Sequence, residues 1–287
     1  MKNKLTIPDL HEMTRKGEKI ALLTAYDYPT ALIEDKVGID IILVGDSLAM
    51  TVLGYKTTVS VTLEEMLIFT KAVTRAVERT FVVADMPFLT YKTDSNTAII
   101  NAGRFIQEGN ADAVKLEGAG SVVPNIKAII DAGIPVMGHI GLTPQSIGIL
   151  GGFKVQGTKK ESALKLIEDA RKLEDVGVFS IIAESIPCEL TPLIKDAVSI
   201  PVYGIGAGAD ADGQILVVHD ILGLFQDFIP RFVKKYTDLG KTLNDVFSRY
   251  INDVKNGDFP DEKQTYHIDK KELEALRKEL SKGSYRL

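Results

Sequence analysis

At 287 residues and 45% hydrophobic composition, the chain holds enough apolar material for one sizeable core, so a single barrel-sized domain is the default. Its net charge of -5 and pI of about 5.5 exclude the clustered Lys and Arg that a nucleic-acid groove or an anionic membrane surface needs. One cysteine, Cys188, excludes an internal disulfide and a cysteine-rich metal site; no stretch approaches the roughly 18 apolar residues of a membrane span, and a cytoplasmic location is expected.

The amino end places Ile7, Leu10 and Met13 at helical spacing with Pro8 in the first turn, which predicts a short helix covering the bottom of the fold. Apolar runs of strand length then recur: Ile20 to Thr24, Ile39 to Val44, Thr80 to Ala84, Ala113 to Leu116, Ile134 to Gly138, Val178 to Ala183, Ile200 to Ile205 and Ile215 to His219. Their unbroken apolar character is what parallel strands buried on both faces require. Helix signals fill the gaps. Thr62-Leu63-Glu64-Glu65 is a capping box, Lys160 opens an amphipathic helix, and Gly38, Gly109, Gly133 and Gly177 are expected left-handed caps before the next strand. Eight such units predict an α/β (β/α)8 TIM barrel, with a doubly wound open sheet as the second architecture. Between Gly208 and Ile215 there is room only for a turn, so the seventh crossover is irregular or the eighth strand lies elsewhere. Residues 1–257 are expected to form the barrel domain. Residues 258–287 form a tail, with a charged helix from Lys270 to Leu280 that sets Leu273, Leu276 and Leu280 on one stripe.

Acidic residues close several of these runs. Asp46, Asp85 and Glu117 follow three separate strands, an arrangement that aims carboxylates into one space at one end of a parallel barrel. Oxygen ligands of this kind suit a hard divalent cation such as Mg²⁺, which would offset the repulsion among them. Lys115 and Glu117 lie two apart and leave the same face of their strand, with Val114 and Leu116 turned to the helices. A plain buried ion pair is the alternative. His139, ending the fifth run, reads as a ligand, a substrate contact or a hydrogen-bonded core residue. Glu184, ending the sixth, reads as a general base with a pKa raised by desolvation, or as a solvated strand-end acid.

Three other patterns carry less. Gly204-Ile205-Gly206-Ala207-Gly208-Ala209 fits a loose dinucleotide fingerprint but follows a late strand and leads into no full helix, so close backbone approach or a tight turn is the better reading. His219-Asp220 has no serine in a nucleophile elbow to complete a triad. The glycine-rich run from Leu150 to Gly157 reads as a lid or cofactor-contacting loop, and Cys188 as a buried or helix-start thiol.

Taken together, the runs Thr24-Ala25-Tyr26-Asp27, Val44-Gly45-Asp46-Ser47-Leu48, Ala84-Asp85-Met86-Pro87-Phe88, Val114-Lys115-Leu116-Glu117-Gly118, Gly138 to Ser146, Gly204 to Gly208 and Asp212 to Val217 resemble the 3-methyl-2-oxobutanoate (ketopantoate) hydroxymethyltransferase family. The resemblance spans roughly residues 7–267. It implies a Mg²⁺-dependent transfer of the one-carbon unit of 5,10-methylenetetrahydrofolate to 3-methyl-2-oxobutanoate, giving 2-dehydropantoate on the way to pantothenate. By the same resemblance Asp46, Asp85 and Glu117 hold Mg²⁺, the last directly or through water. Asp46, Ser47, Asp85 and Lys115 surround the ketoacid, with His139 and the glycine-rich loop helping to orient the partners, and Glu184 accepts the proton. The resemblance further implies a homodecamer, with the carboxyl-terminal helix as a candidate inter-subunit contact. Rival readings are a Mg²⁺-dependent C–C lyase of the phosphoenolpyruvate mutase and isocitrate lyase group, a Schiff-base aldolase using Lys115, and a catalytically silent barrel.

Overall fold

The computed structural model describes residues 3–282, within which eight strands close into a parallel barrel. They are β1 (Ile20–Thr24), β2 (Ile41–Val44), β3 (Phe81–Asp85), β4 (Ala113–Glu117), β5 (Val136–Gly141), β6 (Ser180–Glu184), β7 (Val202–Ile205) and β8 (Gly213–Leu216). Each strand pairs with the next in sequence, and β8 returns to β1. Helices Tyr28–Val37, Leu63–Thr74, Ser95–Gln107, Val123–Asp131, Lys160–Asp175 and Leu190–Lys195 fill the first six crossovers. This is the TIM barrel that the recurring apolar runs predict.

Alternation along each strand divides the apolar residues between two cores. Val82, Ala84, Val114, Leu116, Ile181 and Ala183 face the helices and join one cluster with their inner faces. Their neighbours Phe81, Val83, Ala113, Met137, Ile182 and Tyr203 belong to a second cluster inside the barrel. The same alternation carries Asp85, Lys115 and Glu117 inward, which is why strands with no polar face can still present charges to a site. The amino-terminal helix, Ile7–Arg15, starts in a Thr6–Asp9 capping box and buries Leu10 completely in the interior cluster. It plugs the barrel's lower end.

Several details depart from expectation. Gly38, Gly133 and Gly177 take left-handed conformations with φ of 93°, 89° and 97°, but at the end of Ser95–Gln107 that role passes to Asn110, φ 54°. Asparagine tolerates this region better than other side chains. A Cβ on Gly109 would instead lie 2.4 Å from the Phe105 carbonyl oxygen, so that glycine serves close packing. His139 is the fourth residue of β5, which runs on to Gly141. His219 and Asp220 are not in β8, which stops at Leu216; both lie in the short helix Val218–Ile221.

The seventh crossover contains no helix, and β8 begins at Gly213. Strands of four residues let a short link of bends and turns return from the top of β7 to the bottom of β8. The link's carbonyls are met by side chains: Lys195 donates to Asp210 O at 2.9 Å and Gln214 to Gly208 O at 2.8 Å.

Contacts divide the chain into two compact units that meet between Thr237 and Asp238. The second holds a long helix, Leu239–Asn256, capped by Asp238 and closed by Gly257 at φ 78°, and the charged helix Lys270–Ser281 expected from the leucine stripe.

Candidate active site

All seven residues singled out for chemistry, Asp46, Ser47, Asp85, Lys115, Glu117, His139 and Glu184, line one cavity of about 100 Å³ at the carboxyl ends of the strands. Asp85, Glu117 and Glu184 are the last residues of β3, β4 and β6, and Asp46 follows β2 by two positions. Strand register makes the set: Asp85 pairs with Lys115 across β3 and β4, and Glu117 with His139 across β4 and β5.

Lys115 Nζ lies 2.7 Å from both oxygens of Asp85 and 3.8 Å from Glu117 Oε1. Burial works against its charge, yet Asp85, Glu117 and Asp46 together hold the ammonium above the ordinary lysine range. One lysine among three buried carboxylates leaves an excess of negative charge. Burial, then Asp85 and Glu117, push Asp46 well above the usual carboxylate range, and burial pushes Glu117 up to about 8. Glu117 Oε1 is buried without a hydrogen-bond partner. Such a set calls for another cation or for protons.

The donors fit Mg²⁺ in chemistry: they are carboxylate oxygens, one of them, Glu117 Oε1, buried without a partner. Among the described residues, however, no three His, Cys, Asp or Glu side chains stand in a ready-made metal cage.

His139 is buried, and burial, then Lys115, holds its pKa well below the ordinary histidine value, so the ring is neutral. Its Nε2 lies 3.2 Å from Glu184 Oε2, near enough to steer that carboxylate although not aligned as a hydrogen bond. Burial raises the Glu184 carboxyl to about 8. The next residue, Ser185, takes a left-handed φ of 49°, a conformation uncommon outside glycine, and turns the chain away immediately after the acid. Ser47 Oγ sits 2.7 Å from the hydroxyl of buried Tyr26.

Two residues that sequence reasoning passed over organise the acids. Gln145, buried in the turn Pro144–Ser146 after β5, donates from Nε2 to Asp46 Oδ2 at 3.0 Å and to Met86 O at 2.9 Å, while its backbone N–H reaches Glu117 Oε2 at 3.0 Å. Tyr91 donates its hydroxyl hydrogen to Gln145 Oε1 at 2.7 Å and accepts from the Glu117 backbone N–H at 3.0 Å. Gln145 lies inside a run already quoted for its resemblance, but a neutral amide four residues beyond a strand offers no charge or period by which to pick it out. Cys188 is exposed, in the turn before Leu190–Lys195.

A second cavity, of about 340 Å³, shares Ser47, Thr58, Pro144, Glu184, Ile205 and Val217 with the first, and Phe153, Lys154 and Val155 of the glycine-rich run line it.

The family model for ketopantoate hydroxymethyltransferase matches residues 4–262. A protein from Dehalococcoides mccartyi named 3-methyl-2-oxobutanoate hydroxymethyltransferase is 56% identical over 96% of this chain and 98% of its own. One of the same name from Clostridium novyi is 54% identical over 96% of this chain and all of its own. Among solved structures, phosphonopyruvate hydrolase superposes with a TM-score of 0.62 at 11% identity over 98% of both chains, which bears on the fold alone. The same enzyme in complex with oxalate and Mg²⁺ gives 0.60 at 10% identity over 97% of this chain and 98% of that one. The chain belongs to the ketopantoate hydroxymethyltransferase family.

Proposed function

We propose that the protein transfers the one-carbon unit of 5,10-methylenetetrahydrofolate to 3-methyl-2-oxobutanoate, giving 2-dehydropantoate. The observation that carries this reading is the meeting of three buried carboxylates, a charged lysine and a fourth carboxyl at one end of a barrel of this family. In this reading Asp46 and Asp85 hold Mg²⁺ with Glu117 behind water, and the ion supplies Lewis acidity toward the ketoacid's oxygens. Lys115, kept charged by Asp85, faces the substrate carboxylate or the oxygen on which negative charge develops. Glu184 removes the proton from C3, and neutral His139 beside it holds its carboxylate in place. Ser47, steadied by Tyr26, completes the ketoacid's surroundings. The carbon freed at C3 then bonds to the methylene carbon as one of its two bonds to carrier nitrogen breaks. Water replaces the second, leaving the hydroxymethyl group on the product and releasing tetrahydrofolate with both nitrogens reprotonated.

The Schiff-base alternative fares worse, because a lysine held protonated by a 2.7 Å carboxylate contact is a poor amine nucleophile. Assay of 2-dehydropantoate formation with methylenetetrahydrofolate, with and without EDTA, tests the reading. EDTA-sensitive product and no borohydride-trapped adduct at Lys115 are expected; an adduct, or full activity in EDTA, would sink it.

A homo-oligomer, a decamer in the family pattern, and a cytoplasmic location belong to the same proposal. Leu32, Ile33 and Val37 on one helix are 44%, 63% and 73% exposed, which supports association, and light scattering after gel filtration measures the assembly. No helix among the described residues is long and apolar enough to cross a membrane.

A further inference from the structure

The second cavity differs from the first in kind. Its walls are aromatic, with Phe153, Phe225, Phe228 and Phe232 around it, whereas the first cavity is ringed by acids. Phe232 is seated by the glycine-rich turn after β7: a Cβ on Gly206, φ 64°, would come within 2.5 Å of the Phe232 ring, so only glycine lets the ring lie there. This accounts for a run that resembles a dinucleotide fingerprint and serves instead as the floor of an aromatic pocket.

Besides Glu184, which it shares with the first cavity, one carboxyl faces this apolar space. Asp220 lines the cavity and is only 7% exposed. Burial alone shifts it, upward to about 6, with no hydrogen bond or cation opposing the shift. A buried carboxylate without a donor is costly unless a ligand brings one. At the outer edge stand two exposed cations of the same lining, Lys154 and Arg231. The combination selects a flat ring for stacking, adjacent N–H donors on one edge of that ring for Asp220, and a negative charge at the far end for the cations. Glu184 borders both cavities, so a ligand here lies beside the carboxyl proposed to take the ketoacid's proton.

We infer that this cavity is the subsite for the one-carbon carrier, taking a fused heteroaromatic ring whose amino and ring N–H donors pair with the Asp220 carboxylate and whose acidic tail faces Lys154 and Arg231. The assignment rests on the reaction proposed above for the adjoining site. Glu184 then stands between donor and acceptor, and the Gly206–Phe232 contact sets the height of the slot in which the ring stacks.

Titration calorimetry of the full-length protein with tetrahydrofolate, run beside solvent-deuterium exchange at C3 of 3-methyl-2-oxobutanoate without carrier, tests it. Asp220→Asn, nearly isosteric, should weaken tetrahydrofolate binding at least tenfold more than it slows exchange. Gly206→Ala, which displaces the Phe232 ring, should do the same. In the complete reaction the loss should fall on the carrier's KM and spare that of the ketoacid. Tetrahydrofolate affinity unchanged in Asp220→Asn would overturn the subsite. Absence of exchange in the unmutated protein, with tetrahydrofolate still bound and weakened by Asp220→Asn, would overturn the reaction and leave the subsite standing.

Discussion

The two ends of the barrel interior are built on the same eight strands with the same alternation, yet they hold opposite chemistry. At the lower end Ile20, Phe81, Phe179 and Tyr203 join Leu10 of the amino-terminal helix in a packed apolar plug. At the upper end the next inward positions are Asp85, Lys115, Glu117, His139 and Glu184. The lower end follows from hydrophobic burial alone. The upper end is assembled against it, by register pairs such as Asp85–Lys115 and by the Gln145–Tyr91 bracket, because buried charge is tolerated only when each group has a partner or awaits one.

Predictions that bear on this contrast start with the reacting acid. Glu184→Gln removes the proposed proton acceptor and should slow C3 exchange by about 10²–10⁴-fold with little change in thermal stability; equal loss of both would make Glu184 a structural residue. At the opposite end Leu10→Ala opens a cavity under the barrel and should cost about 2–5 kcal/mol in chemical denaturation, while the site's affinity for Mn²⁺ survives in the folded fraction. A substantial loss of Mn²⁺ affinity there would mean that the ends are not independent.

Gln145→Leu should lower Mn²⁺ affinity about 10–100-fold, read by electron paramagnetic resonance, since it frees Asp46 from its amide donor. Gln145→Glu cannot restore that donor and should not rescue.

A carboxyl in the helix layer provides a control belonging to neither end. Glu34 is 4% exposed with both oxygens unpartnered, and burial, then Asp27, raises it to about 8. A raised carboxyl favours the folded state in its neutral form, fully below about pH 4.5 and decreasingly as pH climbs through about 8. Glu34→Gln should therefore gain stability over the unmutated protein between pH 5 and 9, by about 1–3 kcal/mol at the upper limit, measured by denaturant titration. A pH-independent difference would mean that Glu34 has a partner in solution. The smallest effect is expected at Tyr203→Phe, because the buried Tyr203 hydroxyl has no partner; its removal should be neutral or stabilising by up to about 1 kcal/mol.

Much of this arrangement is legible in the chain. Apolar runs such as Phe81-Val82-Val83 can only be strands covered on both sides, and an acid at the end of each of several such runs marks the functional end of the barrel. What escapes such reading is local in space and remote in sequence. Gln145 and Asp46 are 99 positions apart, and nothing in either neighbourhood announces their 3.0 Å contact. The last strand was harder to bound than the others because Ile215 to His219 is continuously apolar up to the histidine. The chain nevertheless leaves the sheet after Leu216, where Val218 N–H turns to the Thr24 hydroxyl at 3.0 Å.

By itself, the sequence determined the barrel and the end at which Asp46, Asp85, Lys115, Glu117, His139 and Glu184 gather, because period and strand-end position are properties of a single strand; Ser47 joined them only through the family resemblance. Tertiary structure alone decided which charges became partners, that Lys115 is held by Asp85, that Gln145 and Tyr91 brace the acids, and that Phe232 over Gly206 makes a second, aromatic cavity. Those depend on register between strands and on loops that meet only once the barrel has closed, and no one-dimensional pattern carries that information.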